Sequence, residues 1–151
     1  MKIIRPTPND SASLTTIAIS AKRHWNYPEE WIQHWMSKGL VITSEYILAN
    51  ETWMAKIEEN PIAFYSLIKN DEGLWLDNLW VLPEYMGQGI GKQLFNHALE
   101  RCKILNVSVL KIEADPNAES FYEKMGAKTV SENRYELFGQ ERVLPIMEIR
   151  L

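Results

Sequence analysis

The sequence predicts an α/β protein: one mixed sheet with helices on both faces, in a single domain over residues 1–151. Three observations carry this. Strand-like and helix-like patterns alternate along the chain. One segment, LWLDNLWVLP (74–83), is apolar on both faces, as a strand covered on both sides must be. Directly after it, YMGQGIGKQLF (85–95) spaces three glycines at 87, 89 and 91 before a helical run.

The elements follow in order. MKIIR reads as a first strand. Turn formers then lead into a helix that Asp10 or Ser11 would cap. YPEEWIQHWMSKG is a second helix, with Pro28 at its start, two acids in its first turn and Gly39 at its end. TSEYILAN is a further short helix or a turn. ETWMAKIEEN and PIAFYSLIKNDEG read as strands, with NDEG as a hairpin turn. Pro83 closes the apolar strand, and a helix runs from about Ile90 to Lys103. NVSVLKI is β-like, and DPNAESFYEKMG begins as a turn, becomes helical and is capped by Gly126. Two closing strands remain. In the last, Met147, Ile149 and Leu151 share one face.

Composition sets limits on function. With 46% apolar and 24% charged residues, the chain has the make-up of an ordinary soluble domain. A formal charge of −4 argues against a nucleic-acid grip, but a local nest of backbone N–H groups holds an anion regardless. The single cysteine, Cys102, lies on the stripe of Leu94, Phe95, Ala98 and Leu99 and reads as core. No stretch has the pattern of a secretory signal or a membrane span, so no membrane partner and a cytoplasmic setting are expected. His24, His34 and His97 lack metal-ligand spacing, so no metal is expected.

The glycine turn predicts a phosphate-bearing ligand at residues 87–92. A helix start exposes N–H groups and partial positive charge, worth about 0.3–1 kcal/mol to a nearby anion. Glycines let that ligand touch bare backbone; a purely structural turn is the alternative. The P-loop spacing is one residue off, and Gln93 stands where its hydroxyl belongs. That counts against phosphoryl transfer. A dinucleotide motif would need a third glycine at Leu94 or Lys92.

NLWVLPEYMGQGIGKQLFNHAL resembles the acyl-CoA-binding segment of the GNAT superfamily of N-acetyltransferases, a strand ending V-x-P, then [RQ]-x-x-G-x-[GA] and a helix. Val81, Pro83, Gly89 and Gly91 match. DPNAESFYEKMGAKTV resembles that family's N-x-x-A-x-x-x-Y-x-x-x-G segment through Asn117, Phe121, Tyr122 and Gly126, with Ala118 closer to the asparagine than the pattern places it. The two segments cover about residues 76–130.

The resemblance implies an acyl-CoA N-acyltransferase fold, with a mixed, mostly antiparallel sheet of about six or seven strands flanked by helices. It implies acetyl-CoA as cosubstrate. Backbone from Met86 and Gly87 through Gln88, Gly89, Ile90 and Gly91 to Lys92 would hold its diphosphate. Leu79 and Val81 would bond the pantetheine arm on a strand splayed from its neighbour, and Asn117 would bond the same arm. Tyr122 would face the thioester sulfur. Met86 departs from the pattern and removes a polar phosphate contact, commonly worth about 1.5–3 kcal/mol; Lys92 or Lys124 would be the substitute, or both are simply solvated.

Acyl transfer to an amine needs a neutral nitrogen, a proton acceptor for it, and a proton donor for the leaving thiolate. Tyr122 has the group type for the donor, or else packs in the cofactor groove. Asp77 is a candidate base or substrate contact, or a surface carboxylate. Asn78, on the opposite strand face, is a candidate polar site residue. Trp25, Tyr27, Trp31 and Trp35 form either core packing or an aromatic wall for an organic amine, with Glu29 or Glu30 attracting its cation. The expected reaction is acetyl transfer from acetyl-CoA to a small-molecule amine. The alternatives are a peptide amino group and a non-catalytic acyl-CoA sensor. The final strand, LPIMEIRL, is a candidate for pairing across a homodimer.

Overall fold

A computed structural model describes residues 1–151. In chain order the elements are β1 (Lys2–Ile4), α1 (Ser11–Arg23), α2 (Glu29–Ser37), α3 (Ser44–Ala49), β2 (Glu51–Ile57), β3 (Asn60–Asn70) and β4 (Gly73–Val81). They continue as α4 (Ile90–Ile104), β5 (Val109–Glu113), α5 (Glu119–Lys124), β6 (Lys128–Leu137) and β7 (Gln140–Arg150). The strands form a seven-stranded mixed sheet in the order β1-β2-β3-β4-β5-β7-β6. β4 and β5 pair parallel. The β1–β2, β2–β3, β5–β7 and β6–β7 pairs are antiparallel.

The residues group into two compact units, Met1–Leu67 with Asn78–Asn96, and Ile68–Asp77 with His97–Leu151. In the first, α1 buries Leu14, Ile17 and Ala18 at helical spacing against Leu40, Ile42, Ile47, Met54 and Phe64. Each of the larger side chains contributes roughly 1.5–3 kcal/mol by leaving water. Trp35, Trp80 and Leu82 pack on this cluster. Thr15 ties α1 to the loop between α2 and α3, accepting from the Ile42 N–H at 2.9 Å.

In the second unit the core follows the register of β5 and β7. Leu110 faces Ile149, and Ile112 faces Met147; all four are buried. Cys102 is fully buried here, as a core residue should be. The β3–β4 turn uses NDEG, with the Glu72 N–H donating to Asn70 Oδ1 at 2.8 Å and Gly73 at φ 128°.

Three expectations need correction. Asp10 does not cap α1 with its side chain; it closes the preceding turn, accepting from the Thr7 N–H at 2.8 Å. Leu151 lies beyond β7 and is exposed, so the apolar face ends at Ile149. β7 is not available to pair across a dimer along LPIMEIRL, because Ile146, Met147 and Glu148 are registered with both β5 and β6.

Candidate active site

The glycine turn is shaped as a bare backbone cradle. A 3₁₀ turn, Pro83–Tyr85, follows β4 and leads to Met86 in extended backbone. Gly87 and Gly89 then adopt φ of 78° and 80°, a region that L side chains rarely enter. A Cβ built at either glycine would meet no atom within 4 Å, so their faces are open. The Gln93 N–H bonds the Gly89 carbonyl at 3.1 Å, so the N–H groups of Ile90, Gly91 and Lys92 stand ahead of the first α-turn. The first turn of α4 has no acidic residue, and both basic residues of its last turn, Arg101 and Lys103, complement the dipole. Ile90 is buried and Lys92 is exposed. The Gln88 side chain turns back to the Glu84 carbonyl at 3.3 Å. This donor set suits a phosphate, and Met86 brings no polar side chain to it.

On β4 the alternation places Trp75, Asp77, Leu79 and Val81 on one face and Asn78 on the other. The parallel register with β5 runs from Leu74↔Leu110 to Leu76↔Ile112, whereas β4 continues to Val81. Asp77 is exposed and lines a depression of about 410 Å³ with Trp75, Glu72, Glu113 and Asn70. Glu72, Asp77 and Glu113 place three carboxylates around the Trp75 indole, and the protein's own Lys111 Nζ lies 5.6 Å from that ring's centroid. Asn78 is buried in a polar network instead. Its Nδ2 donates to Ser66 Oγ at 2.9 Å and Tyr46 Oη at 3.2 Å, and its Oδ1 accepts from Trp80 Nε1 at 2.9 Å.

The aromatic residues of α2 and of the loop before it do meet. Tyr27 stacks on Trp31 with centroids 5.8 Å apart and meets Trp35 edge-on at 5.1 Å. Trp31 and Trp35 are 6.0 Å apart. The cation within this group is the protein's own. Lys22 Nζ lies 4.3 Å from the Trp35 ring centroid, 4.9 Å from Tyr27 and 5.6 Å from Trp80. The expected wall therefore encloses Lys22, which is only 7% exposed. Trp25 stands apart, 39% exposed and edge-on to His24. Glu30 is exposed. Glu29 is engaged by Arg23 at 2.7 Å and Gln33 at 3.0 Å, and the Arg23 bond leads in holding its carboxyl below the usual range.

Tyr122 is buried in the short helix α5, edge-on to Phe121 at 5.2 Å. Burial, reinforced by the charge of Asp115, pushes its phenol far above the ordinary tyrosine range, so it stays protonated. Asn117 is exposed in the 3₁₀ turn Pro116–Ala118. Asp115 caps that turn: its Oδ1 accepts from the Asn117 backbone N–H at 2.9 Å and from Asn117 Nδ2 at 3.0 Å. Asp115 Oδ2 lies 3.5 Å from Arg142 Nη2, and Arg142 Nε donates to Tyr135 Oη at 3.0 Å. The sequence reading missed Lys22, Asp115 and Arg142. A signal existed for Asp115: it stands three residues before Ala118 and seven before Tyr122, where the N-x-x-A-x-x-x-Y spacing puts its polar first residue.

No cluster of three or more His, Cys, Asp or Glu side chains is arranged to hold a metal ion. No helix is long and apolar enough to cross a membrane.

An open glycine turn at the mouth of a central helix, on a seven-stranded mixed sheet, defines an acyltransferase-type fold. The family model for acetyltransferases of the GNAT family matches residues 16–127, and the chain belongs to that family. It is 28% identical over 126 residues to the uncharacterized N-acetyltransferase YafP of Escherichia coli (strain K12), covering 83% of this chain and 77% of that protein. It is 31% identical over 100 residues to the peptidyl-lysine N-acetyltransferase YjaB of Salmonella typhimurium, covering 66% of this chain and 65% of that one. Among solved structures, a GCN5-related N-acetyltransferase from Rhodopseudomonas palustris superposes with a TM-score of 0.84 at 23% identity, over 99% of this chain and 95% of that one. The PaiA N-acetyltransferase of Thermoplasma acidophilum, in complex with coenzyme A, superposes with a TM-score of 0.81 at 21% identity, over 99% and 98%.

Proposed function

We propose that this acetyltransferase moves the acetyl group of acetyl-CoA to a small primary amine by direct attack in a ternary complex. The observation that carries the reading is the glycine turn, with two left-handed glycines whose faces are open, directly before the N–H groups of α4. Acetyl-CoA supplies the acyl group as a thioester. The backbone of residues 86–92 holds the diphosphate, with Lys92 as the nearest cation in sequence. Leu79 and Val81, on the part of β4 beyond its register with β5, bond the pantetheine arm. Asn117 bonds the same arm.

Asp77 takes a proton from the acceptor's ammonium, directly or through water, leaving the neutral amine that attacks the thioester carbonyl. Its acidic, indole-bearing depression supports a small cationic acceptor. Tyr122 donates to the departing sulfur; its phenol carries the proton, which burial also holds more tightly than in a free tyrosine. Trp25, Tyr27, Glu30, Trp31 and Asn78 are assigned to the acceptor side. Of these, Tyr27 and Trp31 act through the ring cluster that encloses Lys22, and Asn78 acts by holding Trp80. A peptide lysine is the second reading, favoured by the similarity to a peptidyl-lysine N-acetyltransferase.

The test is thiol release from acetyl-CoA with a panel of small amines and lysine peptides. Turnover with a small amine supports the first reading; turnover with peptides alone supports the second. Tight CoA binding without any turnover overturns both. Within this assay Tyr122→Phe should lower kcat by roughly 10²-fold, the low end for a positioned acid, with CoA affinity kept. An unchanged kcat removes Tyr122 from the proton path.

A further inference from the structure

We propose that Asp115 is a positioning residue of the cofactor site, setting which end of the Asn117 amide is offered to the pantetheine arm, with Arg142 fixing Asp115 in turn. The proposal rests on the reading that Asn117 bonds that arm. A carboxylate only accepts hydrogen bonds. Asp115 Oδ1 takes both the backbone N–H of Asn117, at 2.9 Å, and its Nδ2, at 3.0 Å. The Asn117 nitrogen is therefore drawn toward Asp115, and the carbonyl oxygen is the end directed away. An exposed amide held this way serves the arm as an acceptor, suited to an amide N–H.

The carboxylate is itself held. Asp115 and Arg142 side chains are only 10% and 7% exposed, and Asp115 Oδ2 faces the guanidinium at 3.5 Å. Arg142 is steadied by Tyr135 Oη at 3.0 Å, its cross-strand partner between β6 and β7. The backbone agrees: the Ala118 N–H bonds the Asp115 carbonyl at 2.8 Å, closing the turn that presents Asn117. One buried pair thus links the β6–β7 hairpin to a single exposed amide.

The experiment is a double-mutant cycle on CoA affinity, read by calorimetry, with Asn117→Ala and Asp115→Asn, whose amide turns its oxygen to the donor-only Arg142 and offers Asn117 N–H donors in place of an acceptor. Each single variant should weaken CoA binding about tenfold, the scale of one hydrogen bond, and the double variant should be no weaker than either. A purely structural Asp115 gives additive losses instead and overturns the proposal, as does a folded Asp115→Asn with wild-type affinity. Arg142→Lys is the milder probe should Asp115→Asn fail to fold: a loss of about threefold that vanishes in the Asn117→Ala background is expected, since lysine lacks the planar fork. An additive loss or none overturns the proposal. The outcomes are separable. Failure of the wild-type chain to bind CoA defeats the acetyl-CoA reading and the proposal with it. Wild-type binding with an unaffected Asn117→Ala defeats the proposal alone.

Discussion

Two buried cations, one in each unit, are accommodated by different chemistry. Lys22 and Arg142 are each 7% exposed. Lys22 sets a compact ammonium among the rings of Tyr27, Trp35 and Trp80. Arg142 sets a planar fork against one carboxylate and one phenol. Ring faces attract a point charge without a geometric demand, so several share the work. A guanidinium wants directed acceptors, and the loss of one leaves a charge with little to replace it. The Lys22 site should therefore tolerate substitution, and the Arg142 site should not.

The largest effect is expected at Arg142. Asp115→Ala takes the carboxylate away from a buried guanidinium and should cost about 3–5 kcal/mol in urea unfolding. Removing both charges with Asp115→Ala/Arg142→Leu should recover most of that. Lys22→Met, close in volume and uncharged, should cost less than about 1.5 kcal/mol. Equal losses for Asp115→Ala and Lys22→Met would erase the contrast.

A smaller effect sharpens the ring side. Trp35→Leu should lose about 2 kcal/mol of ring–cation attraction on top of its packing loss. In the Lys22→Met background that increment should disappear. Identical Trp35→Leu losses in both backgrounds would show that the ring packs and does nothing for the charge.

A last effect, about as large, concerns pH. The Tyr122 phenol sits far above its ordinary value of about 10 because it is buried, with Asp115 adding to the shift. Its contribution to stability is whole below pH 10. Above that, the unfolded chain releases the proton and the folded chain keeps it. Stability should then fall by about 1.4 kcal/mol per pH unit until the folded phenol ionises. Tyr122→Phe should flatten that slope, measured by urea midpoints from pH 9 to 11.5. A slope unchanged by the substitution would assign the alkaline loss to another group.

The parts of this molecule that the sequence revealed are those whose cause is local. Gly87 and Gly89 are readable because the glycine spacing, the preceding strand and the following helix lie within twenty residues. The turn that carries Asn117 and the short helix that carries Tyr122 follow from the same kind of short pattern. The ring contacts of Trp31 and Trp35 follow from their i,i+4 spacing. What they enclose does not: Trp80 reaches Lys22 from β4, 58 residues along the chain. Asp115 and Arg142 are 27 residues apart and meet only through the β5–β7 pairing. In RVLPIMEIRL, Arg142 looks like any charge at a strand start. Asn78 is similar, since its identity as an organiser of Trp80 depends on Ser66 and Tyr46 from two other elements.

The irregular pairing of β6 has a consequence for solubility. Residue Val130 is an extra residue between the Thr129↔Met147 and Ser131↔Ile146 pairs, and β6 is an outer strand of the sheet. A foreign strand docking there would drift out of step at Val130 and then meet Glu132, Arg134 and Glu136. The kink acts as a guard against fibril-like stacking. Repairing it by deleting Val130 would straighten that rim and turn an inert border into a template for self-association.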